Sequence, residues 1–130
     1  LERFTRLSPQ PPGTVRFVAI SDTHNAESRG GQLAEVPDGD VLLHAGDFTQ
    51  TGHLKEVASF CRWFSALPHR RKIIIAGNHD LSLDAETYAE LAPRFGHRAD
   101  DPAAVAAKAI AMIKAIPNCE YLCDSGTAVR

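Results

Sequence analysis

The chain has 130 residues and a formal net charge of −2, with 44% hydrophobic and 23% charged residues. Its length fits one domain of roughly 100–200 residues, and its composition excludes the weakly hydrophobic, highly charged class of disordered proteins. The low net charge and the single short basic run, at residues 69–72, exclude a basic nucleic-acid surface.

Cysteine usage and hydropathy indicate the cellular setting. Cys61, Cys119 and Cys123 lack the paired spacing of a zinc knuckle and the density of a disulfide scaffold. No segment approaches the roughly 18 apolar residues of a membrane-spanning helix, and the first residues lack the apolar core of a signal peptide. We therefore expect a cytoplasmic protein that has no membrane partner.

Prolines near the amino terminus separate an arm from a domain. Pro9, Pro11 and Pro12 interrupt the first residues, which predicts an extended arm over residues 1–13. Residues 14–130 carry apolar runs that alternate with helical patterns, and we expect one domain there.

Short apolar runs predict the strands of this domain. Most are rich in β-branched and aromatic side chains and nearly continuously apolar, which is typical of strands buried in a parallel sheet. The predicted strands are VRFVAIS at 15–21, DVLLH at 40–44, KIIIA at 72–76 and EYLC at 120–123.

Helical patterns lie between these strands. Apolar residues three and four positions apart predict a helix over 54–67, which Pro68 ends. A shorter helix is expected between Asp84, a good N-cap, and Pro93.

An alanine-rich helix over 103–115 is the clearest helix in the sequence. Asp101 is its predicted N-cap, Pro102 suits the first helical position, and Pro117 follows its end. Strands that alternate with helices predict an α/β fold built from βαβ units.

Polar side chains follow three of the predicted strands at the point where each strand ends. In such sheets, ligands bind beyond the carboxyl ends of the strands, so these side chains are expected to lie together. Carboxylate and imidazole ligands suit manganese, iron, zinc or a similar divalent cation. The candidates are Asp22 and His24 after the first strand, Asp47 after the second, and Asn78 and His79 after the third.

Residues two apart in an extended chain point to the same side, so we expect Asp22 and His24 to face one cation while Thr23 turns away. Asp47 is the candidate for a carboxylate that bridges two cations about 3.5–4 Å apart. Each motif alone has an ordinary explanation, because Asp-x-His is common by chance and Gly-Asp and Gly-Asn are turn sequences. Three such motifs in order, each at a strand end, favour a metal site.

The motifs SDTH, LLHAGDFT and IIIAGNHD, within residues 15–80, resemble those of the calcineurin-like metallophosphoesterase superfamily. Within that superfamily, these motifs are most similar to those of small metallophosphoesterase-domain proteins grouped with class III cyclic-nucleotide phosphodiesterases. The resemblance implies the N-terminal half of an α/β/β/α sandwich. The family completes its site with histidines in motifs resembling GH and GHxH. After Asp80 the sequence has His97 alone, in FGHR, which lacks the second histidine of a GHxH pair. We therefore expect that the chain is the N-terminal portion of the domain.

The resemblance also implies a mechanism. Asp22 and His24 would hold the first of two divalent cations, and Asp47 would bridge both. Asn78 would bind the second cation and orient the phosphate, whereas His79 would donate a proton to the leaving oxygen without being a ligand. The cations would generate a hydroxide that attacks phosphorus in line. The implied substrate is a small phosphodiester such as a cyclic nucleotide.

One departure from the family narrows the function, and one alternative stays open. Protein phosphatases of the superfamily carry GDxxDRG, but the chain reads GDFTQTG, so Gln50 replaces the acid that would orient His79 and protein phosphatase activity is disfavoured. The alternative is a truncated, non-catalytic fragment that binds metal or a partner.

The other histidines and the basic run are given structural roles. His97 is predicted to lie in a surface loop, and His53 and His69 are predicted to face solvent. His44 is expected to be packed within its strand or to support the site from behind. Residues 69–72 are expected to form a solvated strand entrance.

Overall fold

The computed structural model describes residues 7–28, 35–98 and 100–129. Four parallel strands form its centre and lie side by side in chain order. His44 pairs with Ile20 on one side and Ile74 on the other, so the carboxyl ends of the first three strands are level. The strands are β1 (Phe17–Ile20), β2 (Val41–His44), β3 (Arg71–Ile74) and β4 (Cys119–Tyr121).

Helices connect the later strands, so the predicted α/β fold is confirmed. β2 leads into α1 (Leu54–Ala66), and β3 is followed by α2 (Ala85–Leu91) and α3 (Pro102–Lys114). Short 3₁₀ helices span Ala26–Ser28, Leu81–Leu83 and Ala92–Phe95. The last of these contains Pro93, so α2 ends two residues earlier than predicted and continues as a tighter helix.

Side-chain caps fix where α2 and α3 begin. Asp84 Oδ1 accepts a hydrogen bond from the backbone N–H of Thr87 at 2.7 Å. Asp101 Oδ1 accepts one from Ala104 N–H at 2.9 Å, and Pro102 is the first residue of α3. Both predicted caps are confirmed, because each carboxylate satisfies an amide that the first helical turn leaves unpaired.

The main core lies on the face of the sheet that α1 and α3 cover. Side chains alternate along each strand, so Val18, Leu42 and Ile74 all point to this face. The stacked rings of Phe48 and Phe60 pack beneath them, with centroids 4.2 Å apart. On the opposite face Phe17 and Ile75 are 51% and 42% exposed.

The basic run does not form a solvated strand entrance. Lys72 is only 2% exposed, and its Nζ donates to the carbonyl of Ser65. His69 is 3% exposed, and its Nε2 donates to the carbonyl of Pro37. The prediction was wrong for these two residues because each is held by a carbonyl of another segment. Lys72 contacts Ser65 in α1, and His69 contacts Pro37, which lies before β2.

The end of the arm is hydrogen-bonded to the domain where it is described. Gln10 Nε2 donates to the carbonyl of Thr14 and to Asp40 Oδ2, both at 2.7 Å. Residues 1–6 of the predicted arm lie outside the described residues. Within the described part of the chain, no helix is both long enough and apolar enough to cross a bilayer.

Candidate metal centre

The backbone turns sharply after β1 and β2. Asp22, His24 and Asp47 have φ values of 55°, 43° and 55°, in the left-handed region that residues other than glycine seldom adopt. Such strained residues cluster at functional sites, where surrounding contacts hold them. Here the contacts include backbone hydrogen bonds from Asp22 N–H to Gly46 O and from His24 N–H to Asp47 O.

The extended geometry predicted for Asp22 and His24 is therefore wrong, because β1 ends at Ile20 and the chain turns. The two side chains are nevertheless adjacent, with Asp22 Oδ1 3.8 Å from His24 Nε2. Thr23 turns away from them, as predicted. It is buried, and its hydroxyl is hydrogen-bonded to His44 Nε2 at 3.1 Å.

Two glycines allow the loops after β2 and β3 to touch. Gly46 has φ 95°, and a Cβ there would lie 2.5 Å from the backbone nitrogen of Gly77. A Cβ on Gly77 would overlap the Asp47 carboxylate. Any side chain at either position would separate the two loops, so this close approach requires glycine at both.

Three side chains converge where these loops meet. One donor atom from each of His24, Asp47 and His79 lies within 4.8 Å of the other two. The His24 and His79 rings meet edge to face with centroids 4.6 Å apart. One carboxylate and two imidazoles form a donor set that suits manganese, iron or zinc, so these residues fit a divalent cation.

The other two predicted site residues lie beside this triad. The Asp22 side chain is 64% exposed and adjoins His24, so its carboxylate faces solvent next to the cluster. Asn78 is exposed in the turn between Gly77 and His79. His79, which was predicted to stand outside the metal shell, thus lies as close to His24 and Asp47 as a ligand would.

Two consecutive backbone carbonyls orient the two histidines. His24 Nδ1 is 3.1 Å from the carbonyl oxygen of Thr49, and His79 Nδ1 is 2.8 Å from that of Gln50. A carbonyl can only accept, so each Nδ1 carries the hydrogen, and Nε2 of a neutral ring is then an acceptor. Metal-binding histidines commonly have such a partner.

The Gln50 carbonyl therefore occupies the role that sequence analysis assigned to a missing acid. The side chain of Gln50 offers no carboxylate. The contact comes from the main chain, which every residue possesses. Only the path of the loop could reveal it.

Asp80 ties the two loops together, and sequence reasoning gave it no role. Its carboxylate is 3% exposed. It accepts hydrogen bonds from the amides of Asp47, Thr49 and Gly77 and from the Thr49 hydroxyl. Burial raises the pKa of Asp80, while these hydrogen bonds act in the opposite direction. Asp80 is the last residue of the GNHD motif. An acid so close to the end of a strand was the sequence feature that could have indicated its role.

His44 is packed in the core, as predicted. It is 1% exposed, and the rings of Phe48, Phe60 and Phe64 meet it edge-on. Burial lowers the pKa of His44 to about 4, although the carboxylates of Asp22 and Asp47 act to raise it. The imidazole is therefore neutral at neutral pH and supports Thr23 from behind the site.

His97 is not in a surface loop, and His53 does not simply face solvent. His97 is 5% exposed and is hydrogen-bonded through Nδ1 to the Tyr88 hydroxyl and through Nε2 to the Thr51 hydroxyl. The half-buried His53 ring stacks on it at 3.6 Å. Both predictions were wrong because the return of the chain after α2 places His97 against the loop that precedes α1.

The half-buried thiols of Cys61 and Cys119 are not activated nucleophiles. Cys61, Cys119 and Cys123 are all free thiols. Burial raises the pKa of both Cys61 and Cys119 to about 11, so neither is a thiolate at neutral pH. The polar side chains at the strand ends remain the candidate functional site.

Comparison with known proteins agrees with this geometry. The chain is 41% identical over 124 residues to metallophosphoesterase domain-containing protein 1 of Homo sapiens, and equally to that of Mus musculus. These alignments cover 95% of the chain and 37% of each relative. UPF0046 protein C25E10.12 of Caenorhabditis elegans is 41% identical over 113 residues, which are 85% of the chain and 36% of that protein. The chain thus spans just over a third of the length of these relatives. Residues 15–128 match the family described as calcineurin-like phosphoesterase, and the chain belongs to that family.

Proposed function

We propose that this chain forms the metal-binding part of a phosphoesterase that hydrolyses a small phosphodiester, such as a cyclic nucleotide. The convergence of His24, Asp47 and His79 at the strand ends carries the proposal. Membership in the calcineurin-like phosphoesterase family supports the reaction class. Manganese is our first choice of metal, and the cytoplasm is the expected location.

The positions of the side chains support the proposed ligand roles. Asp22 and His24 are adjacent and would hold the first of two cations. Asp47 lies between the loops after β1 and β3, and its position suits a bridging carboxylate. Asn78 would bind the second cation and orient the phosphate. When bound, the cations supply Lewis acidity and a hydroxide nucleophile at neutral pH.

His79 has a separate role in this proposal. Its Nδ1 donates to the Gln50 carbonyl, which fixes the ring and leaves Nε2 as the nitrogen that can exchange a proton with the substrate. Protonated at Nε2, the ring can donate a proton to the leaving oxygen.

A second candidate function retains the metal centre without turnover. In this alternative the chain, which spans 37% of its human relative, binds a cation or a partner but does not catalyse. Ligands supplied by other segments would raise affinity for the second cation, and a two-metal mechanism requires that cation.

Hydrolysis and metal binding by the same samples test these candidates. Purified chain is assayed for manganese-dependent hydrolysis of bis-p-nitrophenyl phosphate and for manganese binding by calorimetry, with a chelator control. Asp47→Asn removes charge where the loops meet, so we expect turnover to fall by more than about 100-fold, beyond the loss typical of outer-shell partners.

Asp38→Asn is the matched control. Asp38 is exposed near the amino end of β2, the strand that Asp47 follows, so this variant makes the same charge change away from the site. If the chain binds manganese without turnover, and Asp47→Asn loses this binding while Asp38→Asn retains it, the result would support the non-catalytic candidate. A folded chain that binds no manganese would contradict the hydrolase and the metal-binding form of the second candidate, and would leave only binding of a partner.

A further inference from the structure

Gln50 lies in a turn formed by residues 49–52. Its two neighbours in the chain, Thr49 and Thr51, are each held by hydrogen bonds to a different segment. On one side, Thr49 donates from both its amide and its hydroxyl to Asp80 Oδ1. On the other side, Thr51 N–H donates to Glu56 Oε2 at 3.2 Å. Gln50 lies exposed between them and directs its carbonyl at His79 Nδ1.

The Thr51 side chain has a second anchor that is remote in sequence. Its hydroxyl is 3.1 Å from His97 Nε2, and His97 Nδ1 is 3.2 Å from the Tyr88 hydroxyl of α2. His97 is 5% exposed, and His53 stacks on its ring. This Tyr88–His97–Thr51 chain joins the end of the α2 region to the 49–52 turn.

We propose that His97 is a positioning residue: by holding Thr51, it fixes the Gln50 carbonyl that keeps His79 in its Nδ1–H form. The role deepens the proposed function and rests on it for its effect on turnover. No motif assigned to the site includes His97, which lies 18 residues after His79 in sequence.

The physical reason is that a carbonyl orients a ring only while its own direction is fixed. Gln50 has neighbours on both sides that resist rotation of its peptide groups. Removing the Thr51 hydroxyl takes away one restraint and leaves both the Thr49 anchor and the hydrogen bond from Thr51 N–H to Glu56 intact. A histidine without a fixed acceptor at Nδ1 can carry its single neutral-state hydrogen on either nitrogen, so the other tautomer gains population.

His24 provides an internal control. Its Nδ1 is oriented by the Thr49 carbonyl, and Thr49 is anchored by Asp80 rather than by His97. If the proposal holds, a substitution at Thr51 alters the tautomer populations of His79 and leaves those of His24 unchanged. General loosening of the site would alter both.

Nitrogen NMR of the metal-free chain tests the proposal without activity. Long-range ¹H–¹⁵N spectra, recorded at a pH where the rings are neutral, give the tautomer populations of His24 and His79. In Thr51→Val, which keeps the side-chain shape, we expect about a fivefold rise in the Nε2–H to Nδ1–H ratio of His79, as the loss of one hydrogen bond allows. Thr51→Ser restores a hydroxyl and should restore the ratio.

Each outcome decides the proposal. A selective change at His79 that Thr51→Ser reverses supports it. An unchanged His79 ratio in Thr51→Val, equal changes at His24 and His79, or a wild-type His79 that lacks the Nδ1–H form would overturn it. If Thr51→Val does not fold, His97→Phe carries the same test, because it keeps a ring against His53 and removes both hydrogen bonds. If the chain shows no manganese-dependent hydrolysis, the proposed function fails, but the spectra of the metal-free chain are unaffected. The two failures are therefore distinguishable.

Discussion

At the scale of single residues, the position of His79 suits two chemical roles, metal ligand and proton donor. Its ring nitrogen lies close enough to His24 and Asp47 to share a cation, and its Nδ1 contact with Gln50 also suits a proton donor. The two roles differ in what they require. A ligand holds metal in the resting enzyme, whereas an acid matters most when the leaving group is a poor one.

The variant His79→Ala separates these roles. As a proton donor, His79 is worth about 10²–10⁴-fold in rate, so the variant should hydrolyse esters of poor leaving groups far more slowly and retain its manganese. Turnover is measured across a series of aryl and alkyl phosphodiesters, together with metal content. Weakened manganese binding, or an equal loss for good and poor leaving groups, would contradict the acid role.

At the scale of secondary-structure elements, local signals fix where helices start. The cap of α3 is a single contact, between the Asp101 carboxylate and the Ala104 amide. Asp101 is exposed and is not one of the candidate ligands, so the energy of this cap can be measured without changing a ligand. Asp84, which caps α2, is likewise exposed.

The variant Asp101→Ala should lower the free energy of unfolding by about 1 kcal/mol, because one amide of the first turn loses its partner. Urea denaturation gives the change from the midpoint and slope. Asp100→Ala is the matched control, since Asp100 is exposed just before the cap. Equal destabilisation by both variants would attribute the effect to general charge and not to capping.

At the scale of the whole molecule, stability is coupled to pH through buried histidines. Burial lowers the pKa of His44 to about 4 and also lowers that of His97. In the unfolded chain a histidine titrates near 6.5, so below that pH the unfolded state binds protons that the folded state does not. Stability contributed by neutral His44 is therefore full above about pH 6.5 and is lost as the pH falls toward 4.

The loss attributable to His44 is up to about 3 kcal/mol between pH 6.5 and pH 4, from the size of the pKa change. Denaturation curves across this range, for wild type and His44→Leu, measure it. The variant should be less stable at pH 7 because Thr23 loses its partner, but its stability should depend less on pH. Parallel pH profiles for the two proteins would contradict the assignment.

The sequence by itself predicted those features that depend on near neighbours. Asp84, Asp101 and Pro102 mark helix starts through contacts within one turn, so their roles were readable. Apolar runs located the strands to within a few residues. The parallel α/β arrangement then implied that Asp47 and His79 would meet, because strands of that kind end on one edge of the sheet.

Only the tertiary structure decided the contacts between distant segments. It buried His69, Lys72 and His97, which composition and local pattern had placed at the surface. It also gave Asp80 its four hydrogen bonds and directed the Gln50 carbonyl at His79. The physical reason is that burial and backbone hydrogen bonding depend on how far-apart loops approach, whereas caps and strand exits are determined by residues adjacent in the chain.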